Sequence, residues 1–426
     1  MTDEKIGPLM RKIDPSQIDE ANKKAVENIL KSEAYLIDIQ PAGKVVPGFK
    51  SYLITHAGPP IEWERMAKVQ KIAVINAAMA EGLADTPEKA ERLIKTGEIV
   101  IAPNHHYNIV SGMCGATAAS FPVLVIKDPI HDNVAYVWQQ TDLTAFGDKF
   151  EKGIQEIRFV KEELAPVLQA AIRDAGRVNL KEILARGLLM GDELHSRFEA
   201  TRGVFLEKML PHIVSTDFPK DVLRRVAEYF LKSHGGNWYP GNLTMGACKV
   251  MMDSAKNIKM STIVTVMSRN GVEFGIRVSG LGDRWFTGPA SRISGFTFPG
   301  FTRDDAAPDI GDSSIIETRG LGGMVLAASP SQSIFVGGLQ GAVDHVNSMY
   351  KITVAEDPSF RIPYMNFAGA PVGIDIRKVI ALGIVPKITT GMAHKDGGHG
   401  LIGAGIAIAP MEAFKNAFIA FTEEYL

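Results

Sequence analysis

Cysteine is nearly absent. Cys114 and Cys248, far apart in 426 residues, do not make a secreted disulfide framework, so a reducing compartment is expected. Long apolar runs are missing too: residues 121–126 and 402–410 fall well short of the ~20 residues a membrane-spanning helix needs. Residues 1–15 carry Asp3, Glu4, Lys5, Arg11 and Lys12 and lack a signal peptide's apolar core, which predicts a cytoplasmic protein. Charge of either sign is not in excess, with a net charge of -2 and no lysine or arginine run. Nucleic acid and anionic membrane therefore have no electrostatic footprint, and any anion site must be local. No internal repeat is evident.

What is present is ordinary globular material, 46% hydrophobic and 22% charged. A chain this long exceeds one core, and three domains are expected. The fold class is α/β (α+β): a mixed domain over 1–153, a helical domain over 154–235, and a glycine-rich α/β domain over 236–426. Ser16 and Asp19 form a capping-box pattern ahead of Ile18, Ala25, Val26 and Ile29. A strand over 35–39, a helix over 63–80, a helix between Thr86-Pro87 and Gly97, and buried strands over 99–102 and 123–126 follow. Asn179 and Glu182 mark another helix start, and His234-Gly235-Gly236-Asn237 reads as a hinge. Beyond it, a strand over 263–267 precedes Val272, Phe274, Ile276 and Val278, which alternate with Glu273, Gly275, Arg277 and Ser279 and put Arg277 on a polar face. Helices near 340–354 and 375–382, a strand over 384–388, and a last helix from Pro410 complete the reading.

Several segments carry candidate chemistry. His56 precedes Gly58-Pro59-Pro60 in a loop, and Asn104, His105 and His106 follow a strand at the end where α/β sheets place ligands. Adjacent histidines point apart, so one acid/base group and one structural donor fit better than two ligands to one metal. Residues 190–197 read as a helix start pairing Asp192 with His195 and Glu193 with Arg197, either a solvated face or a carboxylate-tuned imidazole. Arg269, Asn270, Arg277, Gly280, Gly282 and Arg284 form the richest segment. Guanidinium forks match phosphate or carboxylate oxygens, while glycines let backbone N–H groups approach. Gly280-Leu281-Gly282 lacks the third glycine of a dinucleotide fingerprint, and no P-loop lysine motif is present. Asp309 and Asp312 read as turn and cap residues, and the 320–323 glycines as a helix start. Thr390, His394 and His399 again follow a strand. Histidine spacing does not suit zinc, so neither metal nor cofactor is expected.

The order of these segments (56–61, 104–115, 190–197, 270–286, 298–313, 320–323, 371–377 and 390–410) resembles the AllG family, associated with the oxamate carbamoyltransferase of anaerobic allantoin breakdown. The resemblance implies a subunit working with FdrA-like and AllH-like partners, self-association being a further option. It also implies exchange of a carbamoyl group between a small anionic ureido acid such as oxalurate and phosphate, giving carbamoyl phosphate and an amide such as oxamate. For that chemistry His105, His106 and His195 are the candidate catalytic groups. His56, Asn104, Glu193, Arg197, Arg269, Asn270, Arg277, Gly280, Gly282, Arg284, Thr390 and His394 are the candidate binding groups. Ser111-Gly112-Met113 stands where the family pattern has glycine-proline-methionine, and Gln140-Thr141-Asp142 where it has asparagine-glutamate-glycine. A metal-dependent amidohydrolase and a non-catalytic anion-binding scaffold are the competing classes.

Overall fold

Helix α1 (Pro15–Lys31) opens the computed structural model, which describes residues 15–138, 150–231 and 235–425. Its apolar face buries Ile18, Ala25, Val26 and Ile29 at helical spacing. Strand β1 (Tyr35–Pro41) follows, then β2 (Leu53–His56), a 3-10 turn at Trp63–Arg65 and helix α2 (Lys68–Ala80). The expected single helix over 63–80 is thus two pieces. Helix α3 (Pro87–Lys95) is set by local chemistry: Thr86 accepts from the Lys89 N–H, Pro87 occupies the first turn, and Gly97 leaves it with positive φ. Strand β3 (Val100–Pro103) lies parallel to β2 but at the sheet's edge, with Val100 exposed, so the expectation of a fully buried strand fails there.

After a 3-10 turn at Asn104–Tyr107 come the short strands β4 (Ile109–Val110) and β5 (Ala116–Thr117) and the longer hairpin β6 (Pro122–Asp128) and β7 (Asn133–Trp138). Two sheets result. One has the order β3-β2-β5; the other places β4, β7, β6 and β1 side by side and ends on β8 (Val178–Asn179).

Helices dominate the middle of the chain: α4 (Phe150–Phe159), a π turn at Val160–Leu164, α5 (Ala165–Ala175), α6 (Leu180–Leu189), α7 (Glu199–Val214), α8 (Lys220–Leu231) and α9 (Gly235–Asp253). Asn179 caps α6 by accepting from the Glu182 N–H, as its spacing predicts. Two expectations are corrected. The hinge is not one: Gly235, Gly236 and Asn237 begin α9, while His234 lies outside the described residues. Residues 192–198 form a loop between α6 and α7 rather than a helix start, and the Arg197 guanidinium pairs with Asp192 instead of Glu193, while His195 turns to Glu317 instead of Asp192.

The remaining chain builds an antiparallel sheet of order β11-β10-β9-β13 from β9 (Val264–Asn270), β10 (Glu273–Val278), β11 (Phe286–Pro289) and, after β12 (Ser294–Thr297), β13 (Ile310–Gly311). Helix α10 (Leu339–Ile352) leads into the pair β14 (Thr353–Ile362) and β15 (Ala368–Ile374), with α11 (Ile376–Leu382) capped by Asp375. Strands β16 (Lys387–Ala393) and β17 (Leu401–Ile408) pair with β12, and α12 (Met411–Tyr425) closes the fold. The expected strand over 384–388 therefore starts later and includes Thr389 and Thr390. The architecture is α+β. One buried apolar cluster runs from Ala25 to Ile406; a second, including Phe274, Ile276, Phe414 and Phe418, packs α12 on β10. Among the described residues no helix is long and apolar enough to cross a membrane.

Candidate functional site

The two histidines sit where β3 ends. Asn104 and His105 are buried on the 3-10 turn and His106 is exposed, so the adjacent imidazoles do diverge. Asn104 donates to Ser111 Oγ (2.7 Å) and to Asp312 Oδ2 (2.8 Å). Asp312 is the hub: Gly58 N–H, Ser111 N–H and Ser268 Oγ also donate to it, at 2.9, 3.1 and 2.5 Å. Burial lifts its carboxyl above the usual range despite those donors. This is not the turn-and-cap role expected of Asp312. Gly58 makes it possible, because its φ of +94° and its approach to β9 leave a Cβ only 2.5 Å from Asn270 Cβ. His56, buried at the end of β2, bonds through Nδ1 to the Ala57 carbonyl, and burial lowers it to about 4.

His105 is buried with both ring nitrogens unpaired, 3.6 Å from Asp312 and edge-on to Trp285 at 5.8 Å. Burial first, then Lys249, Arg277 and Lys256, hold it well below the ordinary imidazole range. Trp285 donates its indole N–H to His106 Nε2 at 3.1 Å. His106 is lowered as well, by burial and Arg277. Over the same indole lies Arg277, its guanidinium 4.5 Å from the ring, bonded to Asp283 at 2.8 Å, with Nε unpaired. Gly275, two residues earlier on the same face, leaves room for this stack: a Cβ there would stand 2.8 Å from both Pro59 and Trp285. Strand alternation thus put Arg277 on the right face, but that face is buried rather than open.

A second group of buried charges contains Arg269. It forks onto Asp309 at 2.7 and 2.8 Å and also donates to Gly311 O, Ser313 and Thr390. Asn270 is equally committed, donating to Pro59 O and accepting from Val272 and Glu273 N–H groups. A third group joins the 192–198 loop to β16. His195 Nδ1 meets Glu317 at 2.7 Å, and Thr389 donates to Glu193 at 3.1 Å. Glu193 accepts from His195, Ser196 and Arg197 N–H groups, while burial raises it to about 7. Arg197 pairs with Asp192 at 2.5 Å and Glu199 at 3.3 Å.

The other candidates lie elsewhere. Arg284 pairs with Glu424 on the exposed surface, and His394 packs beside Phe301 and His399. Gly280 donates to Ser261 O and Gly282 takes a φ of +64°. Residues 140–142 lie outside the described residues. Among the described residues no group of three or more His, Cys, Asp or Glu is arranged to hold a metal.

Sequence reasoning missed Trp285, Glu317 and a lysine pair. Lys249 and Asp253 are the charged residues in an otherwise apolar run of α9 (Ala247, Cys248, Val250, Met251, Met252), an isolated i,i+4 pair that signals a buried ionic group.

The fold and these clusters define an α+β protein with buried arginine, lysine and histidine groups gathered around the 104–108 turn. Comparison with known proteins says which kind. A family profile described as "Oxamate carbamoyltransferase subunit AllG" matches residues 99–313. The oxamate carbamoyltransferase subunit AllG of Escherichia coli (strain K12) is 36% identical over 96% of this chain and 98% of its own length. Uncharacterized protein YahG of the same organism is 39% identical over 96% of this chain and 87% of its own. A crystal structure of a conserved protein of unknown function from Enterococcus faecalis V583 superposes with a TM-score of 0.92 at 38% identity, covering 96% of this chain and 98% of that one. The chain belongs to the AllG family.

Proposed function

We propose that the chain is one subunit of an oxamate-type carbamoyltransferase that moves a carbamoyl group between an oxalurate-like ureido acid and phosphate, acting with FdrA-like and AllH-like subunits. Its resemblance to the E. coli subunit supports this. The observation that carries it is the meeting of Arg277, buried with Nε unengaged, and His105, buried with both ring nitrogens unengaged, at the Trp285 ring. Buried polar groups in native folds are usually paired, and unpaired ones mark a missing partner or a chemical role.

In the catabolic direction a hydrogen phosphate oxygen attacks the ureido carbonyl carbon. The new C–O bond gives a tetrahedral oxyanion, the C–N bond to the amide breaks, and the phosphate's proton ends on the departing nitrogen. Arg277 neutralises the joined anions. His105, kept neutral, takes the proton from phosphate and returns it to nitrogen. With the indole N–H filling Nε2, His106 carries its proton on Nδ1 and donates to the oxyanion. His195, committed to Glu317, takes no part in this proton path.

The test is reconstitution of the chain with its partner subunits, oxalurate and phosphate, following carbamoyl phosphate. Product should form, and His105→Asn or Arg277→Ala should abolish most of it. Absence of product from every ureido acid tried would reject the transfer. Full activity in both variants would leave this chain as a scaffold for chemistry done by its partners.

A further inference from the structure

Helix α9 sends Lys249 toward the same turn that carries the histidines. Its ammonium is buried, 2.5 and 2.6 Å from the two Asp253 oxygens and 3.5 Å from Asn108 Oδ1. Lys256, just beyond the helix, reaches the same two residues, 2.8 Å from Asp253 and 3.3 Å from Asn108. Asn108 adopts a left-handed φ of 54° directly after the 3-10 turn, tying that turn to the lysines. Arg277 belongs to the same field, since it and Asp253 attract while it and Lys256 repel.

Three cations thus face one buried anion, Asp253. The other carboxylate, Asp283, is 78% exposed and holds Arg277 from the solvent side. Uncompensated buried charge is costly, and a ligand of opposite sign would complete the balance. Burial and Lys256 pull Lys249 below the ordinary lysine range, and an arriving anion would restore its charge.

We propose that Lys249, Lys256 and Arg277, organised by Asp253 and Asn108 beside His105, form the seat of a tetrahedral phosphate-type oxyanion, with Asp283 as the group the ligand displaces from Arg277. The assignment rests on the carbamoyl-transfer reading for its role, phosphate being the acceptor there.

The experiment is titration of the full chain with inorganic phosphate by calorimetry, together with phosphate and ureido-acid KM in the reconstituted complex. Lys249→Met removes the buried partner of Asp253, leaving it only Lys256, and risks misfolding, so Lys256→Gln, which leaves the Lys249–Asp253 pair intact, is the primary variant. It should weaken phosphate about tenfold or more, the usual worth of a charge-assisted hydrogen bond. Lys256→Arg should retain binding, and Asp283→Asn should tighten it. The ureido-acid KM should stay within about twofold of wild type. A phosphate affinity unmoved by Lys256→Gln, or no phosphate binding by the wild type in either assay, overturns the site. Carbamoyl phosphate formation with an unmoved phosphate KM rejects this site and keeps the transfer reading. Lysine-dependent phosphate binding without carbamoyl transfer keeps the site and rejects the transfer.

Discussion

Arg277 shows how much one side chain does at this position. Its guanidinium plane stacks on Trp285, one NH group bonds Asp283, and the buried Nε has no partner. A lysine keeps the charge but has neither the plane nor the fork, so Arg277→Lys should weaken phosphate or ureido-acid binding by roughly 1.5–3 kcal/mol. Titration of the complex with each ligand checks this, and unchanged binding of both would remove Arg277 from the anion site. The histidines separate in a similar way. Asparagine at position 106 still offers an acceptor to the Trp285 N–H, whereas His105 has no local bond for asparagine to replace. His105→Asn should therefore lower kcat by about 100-fold with ureido-acid KM little changed, and His106→Asn should cost less. Steady-state kinetics on the pair decide it; a larger loss at His106 would reverse the two roles. The face of β10 that Arg277 takes was legible in the sequence because strand alternation is local, but its burial was not. The Lys249–Asn108 contact was not legible, because it spans 141 residues of chain.

At the level of elements, what the sequence revealed divides along the same line. Helix α3 could be read to within a residue or two, since Thr86, Pro87 and Gly97 act on their own neighbours. The 192–198 loop was misread as a helix because Asp192, Glu193, His195 and Arg197 have helical spacing. Their strongest partners include Glu317 and Thr389, which no local pattern announces. Strand β16 was placed too early because the apolar run Ile384-Val385 precedes it, while Thr389 and Thr390 inside it look like loop residues. Helix α9 was hidden by its opening glycines and by Pro240, yet its packing is close. Gly246 lies so near the β6–β7 hairpin that a Cβ would stand 2.2 Å from Ile126 Cδ1 and 2.5 Å from Val137 Cγ2. Ile126 can change rotamer, but the β-branched Val137 yields less easily. Gly246→Ala should thus destabilise by about 1–3 kcal/mol, read as a lowered urea midpoint. A midpoint equal to that of wild type would show that the helix can lift from the sheet without cost.

Over the whole molecule, buried titratable groups set the response to acid. His56 at the end of β2 and His345 on α10 are both lowered by burial to about 4, and His105 is held well below the ordinary imidazole range by burial and surrounding cations. An imidazole with a depressed folded pKa contributes stability that is complete above its unfolded value of about 6.5 and is lost as pH falls toward the folded value. Glu193 acts in the opposite sense: its carboxyl is raised to about 7, so its contribution is complete below about 4.5 and is lost as pH rises through 7. Below about pH 6.5 the three buried histidines take up protons only on unfolding and so draw stability down, while Glu193, Asp192 and Asp312, all raised by burial, act against them. His345 isolates one share of this effect, because its Nε2 donates to the Gly323 carbonyl at 2.7 Å and a glutamine amide can make the same bond without titrating. Compared with wild type, His345→Gln should gain about 3 kcal/mol in relative stability between about pH 6.5 and pH 4, measured by urea denaturation at each pH. Parallel loss in the two proteins across that window would show that His345 is already charged in the folded state, or that its burial carries no penalty for the proton.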